Sequence, residues 1–145
     1  MGVERQTIDG LLRESRARFE RLTAQRACEA MAAGAVLIDI RGDGQRDADG
    51  VVPGSLFIAR NVLEWRLDPT SGHQHPSVGG LDRQVILMCN EGYQSSLAAA
   101  TLQTLGFARA TDVIGGFQAW RDAGLPVSTV LWRRTSRRSG VATTR

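Results

Sequence analysis

Cys89 occupies a position at which a thiol can act as a nucleophile. The stretch "VILMCNEGYQSSLAAATLQTLG", residues 85–106, runs from four apolar residues into Cys89 and then through a polar segment into an alanine-rich one. This order predicts a buried strand, a loop and a helix, with the cysteine at the end of the strand. The first N–H groups of a helix have no partner within it and, with the helix dipole, stabilise a bound anion. A sulfur at this place is favoured as the thiolate, which is the nucleophilic form of cysteine.

The residues that follow Cys89 suit such a site. Gly92 permits a tight turn and a close approach of the backbone to a ligand. Ser95 and Ser96 can cap the helix or donate to a bound anion. A cysteine between a strand and a helix is also compatible with a core cysteine that ends a strand, so the residues by themselves leave both interpretations open.

The elements that would hold this loop alternate between strand and helix. The patterns predict strands within residues 35–40, 51–58, 84–89 and 110–116, a brief edge strand in "FERLT", and helices over residues 7–18, 23–33, 94–105 and 116–123. The segment "RGDGQRDADG" is predicted to be a loop, and residues 60–83 mostly loop with one helical turn near residues 63–66. Alternation with short connections predicts an α/β fold with a mainly parallel sheet and helices on both faces. Ligands of such sheets bind at the carboxyl ends of the strands, where Cys89 is placed.

Two helices carry recognisable signals. Ile8, Leu11 and Leu12 lie among charged residues and predict a short amphipathic helix, with Ser15 and Arg18 on its outer turns. In the second helix Thr23 is positioned as the N-cap, and Gly34 follows its end.

The chain has the size of one domain, 145 residues, and no apolar run approaches the roughly 20 residues of a membrane helix. Its charged N-terminus lacks the apolar segment of a signal peptide, so a cytoplasmic protein without a membrane partner is predicted. Two cysteines, with no C-x-x-C pair, do not form a disulfide framework or a zinc knuckle.

The basic residues are unevenly distributed. All eighteen are arginine, and five lie after Trp132, where there is no acid, which leaves 13 basic against 15 acidic side chains in the rest of the chain. Nucleic-acid binding is therefore not favoured, because a nucleic-acid-binding domain is basic over its folded face. The tail is interpreted as a solvated disordered end, with an arm that contacts RNA or a membrane as the alternative.

Other reactive residue types are interpreted as structural. Cys28, within a predicted helix, is expected to be a small core residue, and Phe117 and Trp120 to pack on one helix face. His73 and His75 provide two of the four ligands of a tetrahedral metal site, so no metal is predicted.

Asp39 and Arg41 follow a buried strand and are also interpreted as structural. Arg41 is expected to pair with an acid in the following loop or to cap a backbone carbonyl, while Asp39 ties the loops together. Arg60 and Arg66 could bring positive charge to the Cys89 loop, although surface solvation or an ion pair is the favoured interpretation.

Four stretches in the same order resemble the rhodanese-like sulfurtransferase family. "CNEGYQSS" resembles its active-site loop, roughly C-x-x-G-x-R-S, and "VLIDIR" its D-x-R strand. "GVVPGSLFIARN" resembles its G-H-I-P-G-A segment, with Val51 and Val52 in place of His-Ile and Ser55 in place of Ala. "GGFQAWRDAGLPV" resembles its closing G-G-x-x-A-W-x-x-x-G-x-P-V. The resemblance spans about residues 19–127, and it favours the catalytic interpretation of Cys89 over the core one.

The resemblance implies a single-domain rhodanese, a small α/β domain that transfers sulfane sulfur in two steps. The Cys89 thiolate would take a sulfur atom from a small-molecule donor such as thiosulfate and pass it to cyanide or a thiol, with no metal and no organic cofactor. The amides of the loop would stabilise the anionic persulfide. The implied substrate-binding residues are Asn90, Glu91, Gly92, Tyr93, Gln94 and Ser95. The implied organisation is a helical extension over 1–18, a rhodanese-like domain over 19–128 and a basic tail over 129–145.

The loop departs from the family pattern at two positions. The common arginine is replaced by Gln94, and Glu91 adds a negative charge. Because thiosulfate is a dianion, we expect it to be a poor donor and a persulfide or polysulfide to be a better one. The same departures favour the alternative of a non-catalytic, regulatory or partner-binding module. Phosphatases on this fold need C-x5-R, and the sixth residue after Cys89 is Ser95, so phosphatase activity is disfavoured.

Overall fold

Within residues 4–130, the part of the chain that this computed structural model describes, four parallel strands form the centre of the fold. They are β1 Val36–Asp39, β2 Leu56–Phe57, β3 Val85–Met88 and β4 Ala110–Asp112, in the spatial order β2-β1-β3-β4. Val36 pairs with Val85 and Val85 with Ala110, so the strands begin side by side and their carboxyl ends meet at one edge. The predicted α/β fold with a parallel sheet is confirmed.

Helices cover both faces of this sheet. In chain order they are α1 Ile8–Arg16, α2 Ala24–Ala32, α3 Asp43–Asp49, α4 Leu63–Leu67, α5 Gln94–Thr104 and α6 Gly116–Asp122, with a 3₁₀ turn at Arg60–Val62 before α4. None of the helices in this part of the chain is long and apolar enough to cross a membrane.

The strands are apolar at nearly every position because two cores lie on opposite faces of the sheet. Val85 and Leu87 of β3 pack into the core that α4 and α5 cover. Ile86 and Met88 point to the core that α2 and α6 cover, where Trp120 is also buried. Successive side chains of β3 thus alternate between the two cores, as the geometry of a strand requires.

Several local predictions are confirmed. The Thr23 hydroxyl accepts from the Arg26 amide at 3.2 Å and caps α2. Cys28 is half-buried at the margin of the core beneath α2, so its prediction as a core residue is confirmed only in part. Phe117 is buried, and the buried Trp120 donates its indole N–H to the carbonyl of Pro126 at 2.8 Å.

Two predictions are wrong. Residues 43–49 form helix α3 instead of a loop, and Arg46 within it is buried and donates to the Asp39 carboxylate at 3.3 Å. This contact with β1 outweighs the preference of the glycines and aspartates for a loop. Ser15 of α1 faces inward with 6 % of its surface exposed, whereas Ile8 is 61 % exposed. Because α1 packs on the alanine-rich α5, a small side chain lets the two helices approach closely.

The edge strand predicted in "FERLT" is reduced to one residue. Leu22 pairs in parallel with Val113, its amide donates to the Asp112 carbonyl at 3.0 Å, and its carbonyl accepts from the Ile114 amide at 2.8 Å. This pairing holds the preceding residue, Arg21, beside the end of β4. The predictions for the arginine tail beyond residue 130 lie outside the described residues.

Candidate active site

The carboxyl edge of the sheet brings Asp39, Cys89 and Asp112 together. Asp39 ends β1, Cys89 follows the last residue of β3, and Asp112 ends β4. The order β1-β3-β4 places the cysteine between the two carboxylates, each of which is 0–1 % exposed. Ligands bind at this edge in parallel α/β sheets.

The Cys89 sulfur is held by the loop that follows it. The amide of Gly92 donates to the sulfur at 3.2 Å and the amide of Ser95 at 3.4 Å. The hydroxyl oxygen of Ser95 lies 3.3 Å from the same sulfur. Two convergent N–H groups favour negative charge on the sulfur. Cys89 is 7 % exposed, so only a small part of it faces outward.

A cavity of about 260 Å³ opens in front of Cys89. Four of the predicted substrate-binding residues line it: Asn90, Glu91, Tyr93 and Gln94. The amides of Glu91, Tyr93 and Gln94 meet no acceptor among residues 4–130. The loop thus divides its donors: the amides of Gly92 and Ser95 bind the sulfur, while those of three residues that line the cavity do not.

Gly92 is a glycine for two reasons. Its φ of +87° lies in the left-handed region, which other residues rarely adopt. A Cβ atom here would lie 2.7 Å from the backbone nitrogen of Gly115, closer than two such atoms can approach. The same backbone conformation brings the Gly92 amide to the sulfur.

The N-terminus of α6 supports the loop from one side. The amide of Phe117 donates to the carbonyl of Cys89 at 2.8 Å, and the amide of Gln118 to that of Asn90 at 3.1 Å. The Gln118 side-chain amide also donates to the Asn90 side chain at 3.1 Å. These bonds fix the two peptide groups that follow Cys89 in the chain.

Asp112 supports the loop from its buried side. The hydroxyl of Ser95 donates to one oxygen of this carboxylate at 2.7 Å, and the hydroxyl of Ser96 to the same oxygen at 2.8 Å. Arg21 binds the carboxylate with Nε at 2.8 Å and Nη2 at 3.1 Å. Ser95 therefore stands between the thiol and a buried ion pair.

Two arginines also bind the carbonyl of Gly92. Arg16 of α1 donates to this oxygen at 2.7 Å and Arg21 at 2.9 Å. Arg16 donates in addition to the Ser96 hydroxyl at 2.9 Å, and its guanidinium lies 5.6 Å from the ring centre of Tyr93. The sequence pattern did not indicate any of these contacts, because more than 70 residues separate each arginine from its partners in the loop.

Asp39 and Arg41 form an ion pair on the other side of Cys89. Arg41 donates to Asp39 at 2.9 and 3.1 Å and to the carbonyl of Gly50 at 2.7 Å. The predicted cap on a backbone carbonyl is confirmed. The acid that accepts the two side-chain bonds is Asp39, which precedes Arg41 in the chain.

The remaining candidates lie in structural contacts. Arg60 forms an ion pair with Glu64 at 3.0 Å, and Arg66 donates to the carbonyl of His73 at 2.8 Å. The Nδ1 atom of His75 accepts from the amide of Ser77 at 3.1 Å. Among residues 4–130 no group of three or more histidine, cysteine, aspartate or glutamate side chains could hold a metal ion.

Comparisons with known proteins agree with this geometry. The model of the "Rhodanese-like domain" family matches residues 23–123. The chain is 37 % identical over 103 residues to the thiosulfate sulfurtransferase GlpE of Ectopseudomonas mendocina, covering 71 % of this chain and 85 % of that protein. It is 32 % identical over 111 residues to the protein of the same name from Haemophilus influenzae strain PittEE, covering 77 % and 96 %.

A solved structure from Rhodopseudomonas palustris is also similar, with a TM-score of 0.78 and 34 % identity over 88 % of this chain and 98 % of that one. It is described as a protein of unknown function and a possible tyrosine phosphatase. In the present chain the residue six positions after Cys89 is Ser95, whose hydroxyl donates to Asp112.

Proposed function

Since this chain belongs to the rhodanese-like domain family and is a sulfurtransferase of the rhodanese type, we propose that Cys89 carries the transferred sulfur as a persulfide. The observation that carries this proposal is the pair of amides, from Gly92 and Ser95, that donate to the Cys89 sulfur. A thiolate held in this way is a nucleophile that needs no metal or organic cofactor.

The reaction has two steps. The Cys89 thiolate attacks the sulfane sulfur of the donor, a new S–S bond forms, and the donor's bond to that sulfur breaks. With thiosulfate the leaving group is sulfite, which takes the bonding electron pair. With a persulfide donor the leaving group is the corresponding thiolate. An acceptor thiolate or cyanide then attacks the outer sulfur of Cys89, forms a persulfide or thiocyanate, and returns Cys89 as the thiolate.

The loop offers donors for the second sulfur atom as well as the first. In the persulfide the negative charge moves outward by one sulfur, from the position that Gly92 and Ser95 bind toward the cavity. Glu91, Tyr93 and Gln94, whose amides meet no acceptor among residues 4–130, line a cavity of about 260 Å³ that Cys89 also lines. Fixed amide dipoles around a developing charge stabilise it without reorganisation.

We propose a persulfide or polysulfide as a better donor than thiosulfate. The charged residues that line the cavity are Glu91 and Arg41, and the buried Arg41 is already paired with Asp39. Arg60 is engaged by Glu64 and Arg66 by a carbonyl. Among the described lining residues the guanidinium of Arg41 is neutralised by Asp39, and only its Nη1 atom has no hydrogen-bond partner, so a dianion meets little net positive charge there.

Mass spectrometry tests the role of Cys89. The wild type, incubated with a sulfur donor, should gain about 32 Da on the peptide that contains Cys89. Cys89→Ser should lose transfer while keeping its fold, whereas Cys28→Ser should keep transfer because Cys28 lies in α2. Absence of the adduct with every donor would contradict the proposal and favour a non-catalytic, partner-binding module.

A kinetic comparison tests the donor. We expect kcat/KM for glutathione persulfide to exceed that for thiosulfate, and Glu91→Gln to raise the value for thiosulfate more than that for the persulfide. A much higher kcat/KM for thiosulfate in the wild type would show that the loop binds the dianion despite Glu91.

A phosphatase assay tests the activity suggested by the description of the similar structure. Ser95 cannot provide the bidentate clamp that an arginine gives a phosphoryl group. We expect no hydrolysis of p-nitrophenyl phosphate above the rate of Cys89→Ser.

A further inference from the structure

We propose that Arg16 and Arg21 are positioning residues of the sulfurtransferase site, which act on Cys89 from the buried side of its loop. This inference rests on the proposed function of Cys89. Both arginines precede residues 23–123, the range that the family model matches, so part of the site is built by residues outside that range.

The geometry places the two guanidinium groups directly behind the loop. Both donate to the carbonyl of Gly92, at 2.7 and 2.9 Å, and the amide of the same residue donates to the sulfur. Because the amide and the carbonyl of Gly92 flank the same Cα atom, anchoring the carbonyl also restrains the position of the amide. The arginines thus determine whether the loop keeps its donors aimed at Cys89.

The contacts with Asp112 add a second effect, through the Ser95 hydroxyl. This hydroxyl has one proton, and both Asp112 at 2.7 Å and the Cys89 sulfur at 3.3 Å are within its reach. Arg21 and Ser96 also donate to Asp112. When Ser95 turns its proton to a thiolate, the Asp112 carboxylate therefore still accepts hydrogen bonds from Arg21 and Ser96.

The charge of this group favours an anion at the loop. The two guanidinium groups carry two positive charges and Asp112 one negative charge, so one positive charge remains beneath the loop. The loop itself contributes one formal charge, the carboxylate of Glu91, which is exposed and screened by solvent. Because a buried or half-buried cation is screened less by solvent than an exposed carboxylate, the net charge of this group favours an anion at the loop.

Arg16 can be tested without breaking a buried ion pair. It is half-buried and donates to Gly92 and Ser96 but forms no salt bridge among the described residues. Arg21 is a poorer choice, because its removal would leave the fully buried Asp112 without its cation. Arg18 provides a matched control: it lies two residues away and donates to Thr104 of α5, outside the loop.

The experiment measures alkylation of Cys89 by iodoacetamide at one fixed pH, in a Cys28→Ser background where Cys89 is the only thiol. Arg16→Gln should react about 10-fold more slowly than the parent protein, since the loop donors are less well aimed. Arg16→Lys should recover part of the rate, because it restores the charge but not the forked donor. Arg18→Gln should react at the parent rate.

Sulfur transfer by the same variants separates positioning from binding. Arg16→Gln should lower kcat about 10-fold and leave KM for the donor within about twofold, with a melting temperature close to that of Arg18→Gln. The proposal is overturned if Cys89 of Arg16→Gln is alkylated as fast as Cys89 of Arg18→Gln. It is also overturned if Arg16→Gln loses rate together with a lowered melting temperature, and Arg16→Lys restores neither. Alkylation needs no sulfur donor, so this result can be distinguished from a failure of the proposed function.

Discussion

Two arginine–aspartate groups flank Cys89, one at the end of β1 and one at the end of β4. The β1 cluster consists of Asp39, Arg41, Arg46 and Gly50, and the β4 cluster of Asp112, Arg21, Arg16 and Gly92. In each cluster an arginine binds a buried carboxylate through two nitrogens and also donates to the carbonyl of a glycine with positive φ.

The two clusters differ in what else they touch. The partners of the β1 cluster lie within eleven residues of Asp39, and the guanidinium groups of Arg41 and Arg46 stack on Phe117 and Phe57 at 3.9 and 4.1 Å. The β4 cluster joins residues up to 91 positions apart and receives the hydroxyls of Ser95 and Ser96. Similar chemistry thus ties a local loop in one place and reaches the reactive sulfur in the other.

The comparison shows that a buried ion pair at this edge of the sheet is not by itself a sign of catalysis. What distinguishes the β4 cluster is the hydroxyl of Ser95, which is within 3.3 Å of the sulfur and 2.7 Å of the carboxylate. The β1 cluster should therefore control stability, and the β4 cluster both stability and the reactivity of Cys89.

Asp39→Asn should have the largest effect on stability. It removes the carboxylate that the fully buried Arg41 binds at 2.9 Å. Breaking such a pair leaves an uncompensated charge, and the free energy of unfolding should fall by about 3–5 kcal/mol. Chemical denaturation measures this loss, while the alkylation rate of Cys89 in the folded protein should stay within about twofold of the wild type. A large drop in that rate would mean that the β1 cluster also acts on the sulfur.

Asp112→Asn should lower both the free energy of unfolding and the alkylation rate of Cys89. The Arg21 side chain is 16 % exposed and can recover some solvation, so we expect a loss of about 2–3 kcal/mol in unfolding free energy. Cys89 should also react about 10-fold more slowly, because Ser95 and Ser96 lose their ionic acceptor and the loop its support. Alkylation and denaturation of the same sample check both. Equal reactivity of Asp112→Asn and Asp39→Asn would remove the distinction between the clusters.

The sequence predicts the parts of this edge that depend on local pattern. Apolar runs predicted β1 and β3, and the change from apolar to polar residues after Met88 placed Cys89 at the carboxyl end of a strand. The threonine cap of α2 and the need for glycine at Gly92 are local as well.

The contacts between distant segments could not be predicted in the same way. Arg16 and Arg21 look like surface charges in the sequence, and only the packing of α1 on α5 and the pairing of Leu22 with Val113 bring them to the loop. Helix α3 was missed because its stability comes from the Arg46–Asp39 contact. Asp112 had a partial signal, since it ends a buried strand as Asp39 does.

The two glycines provide a matched pair of substitutions. A Cβ at Gly50 would lie 2.8 Å from the carbonyl oxygen of Ser128, and one at Gly92 would lie 2.7 Å from the nitrogen of Gly115. Both residues have φ near +90°, so Gly50→Ala and Gly92→Ala should each lower the unfolding free energy by about 2 kcal/mol.

Only Gly92→Ala should slow the alkylation of Cys89, because only Gly92 donates its amide to the sulfur. Thermal melts establish that the two variants are comparably destabilised, and the alkylation rates are then compared at a temperature where both are folded. If Gly50→Ala slowed the alkylation of Cys89 as much as Gly92→Ala does, general destabilisation of the fold would explain the effect.

Ser96→Ala should have the smallest effect and tests how the hydroxyls share Asp112. Ser96 donates to the carboxylate at 2.8 Å and accepts from Arg16 at 2.9 Å, so its loss should cost about 1 kcal/mol of unfolding free energy. Without Ser96, Asp112 has a greater need of the Ser95 proton, which is then less available to the thiolate. Cys89 should react about two- to threefold more slowly. Ser55→Ala, which removes one hydroxyl bonded to the carbonyl of Val52 at 2.7 Å, should lose similar stability without a change in the rate. A faster reaction of Ser96→Ala would mean that Ser96 competes with Ser95 instead of relieving it, and would reverse the role assigned to the second hydroxyl of the β4 cluster.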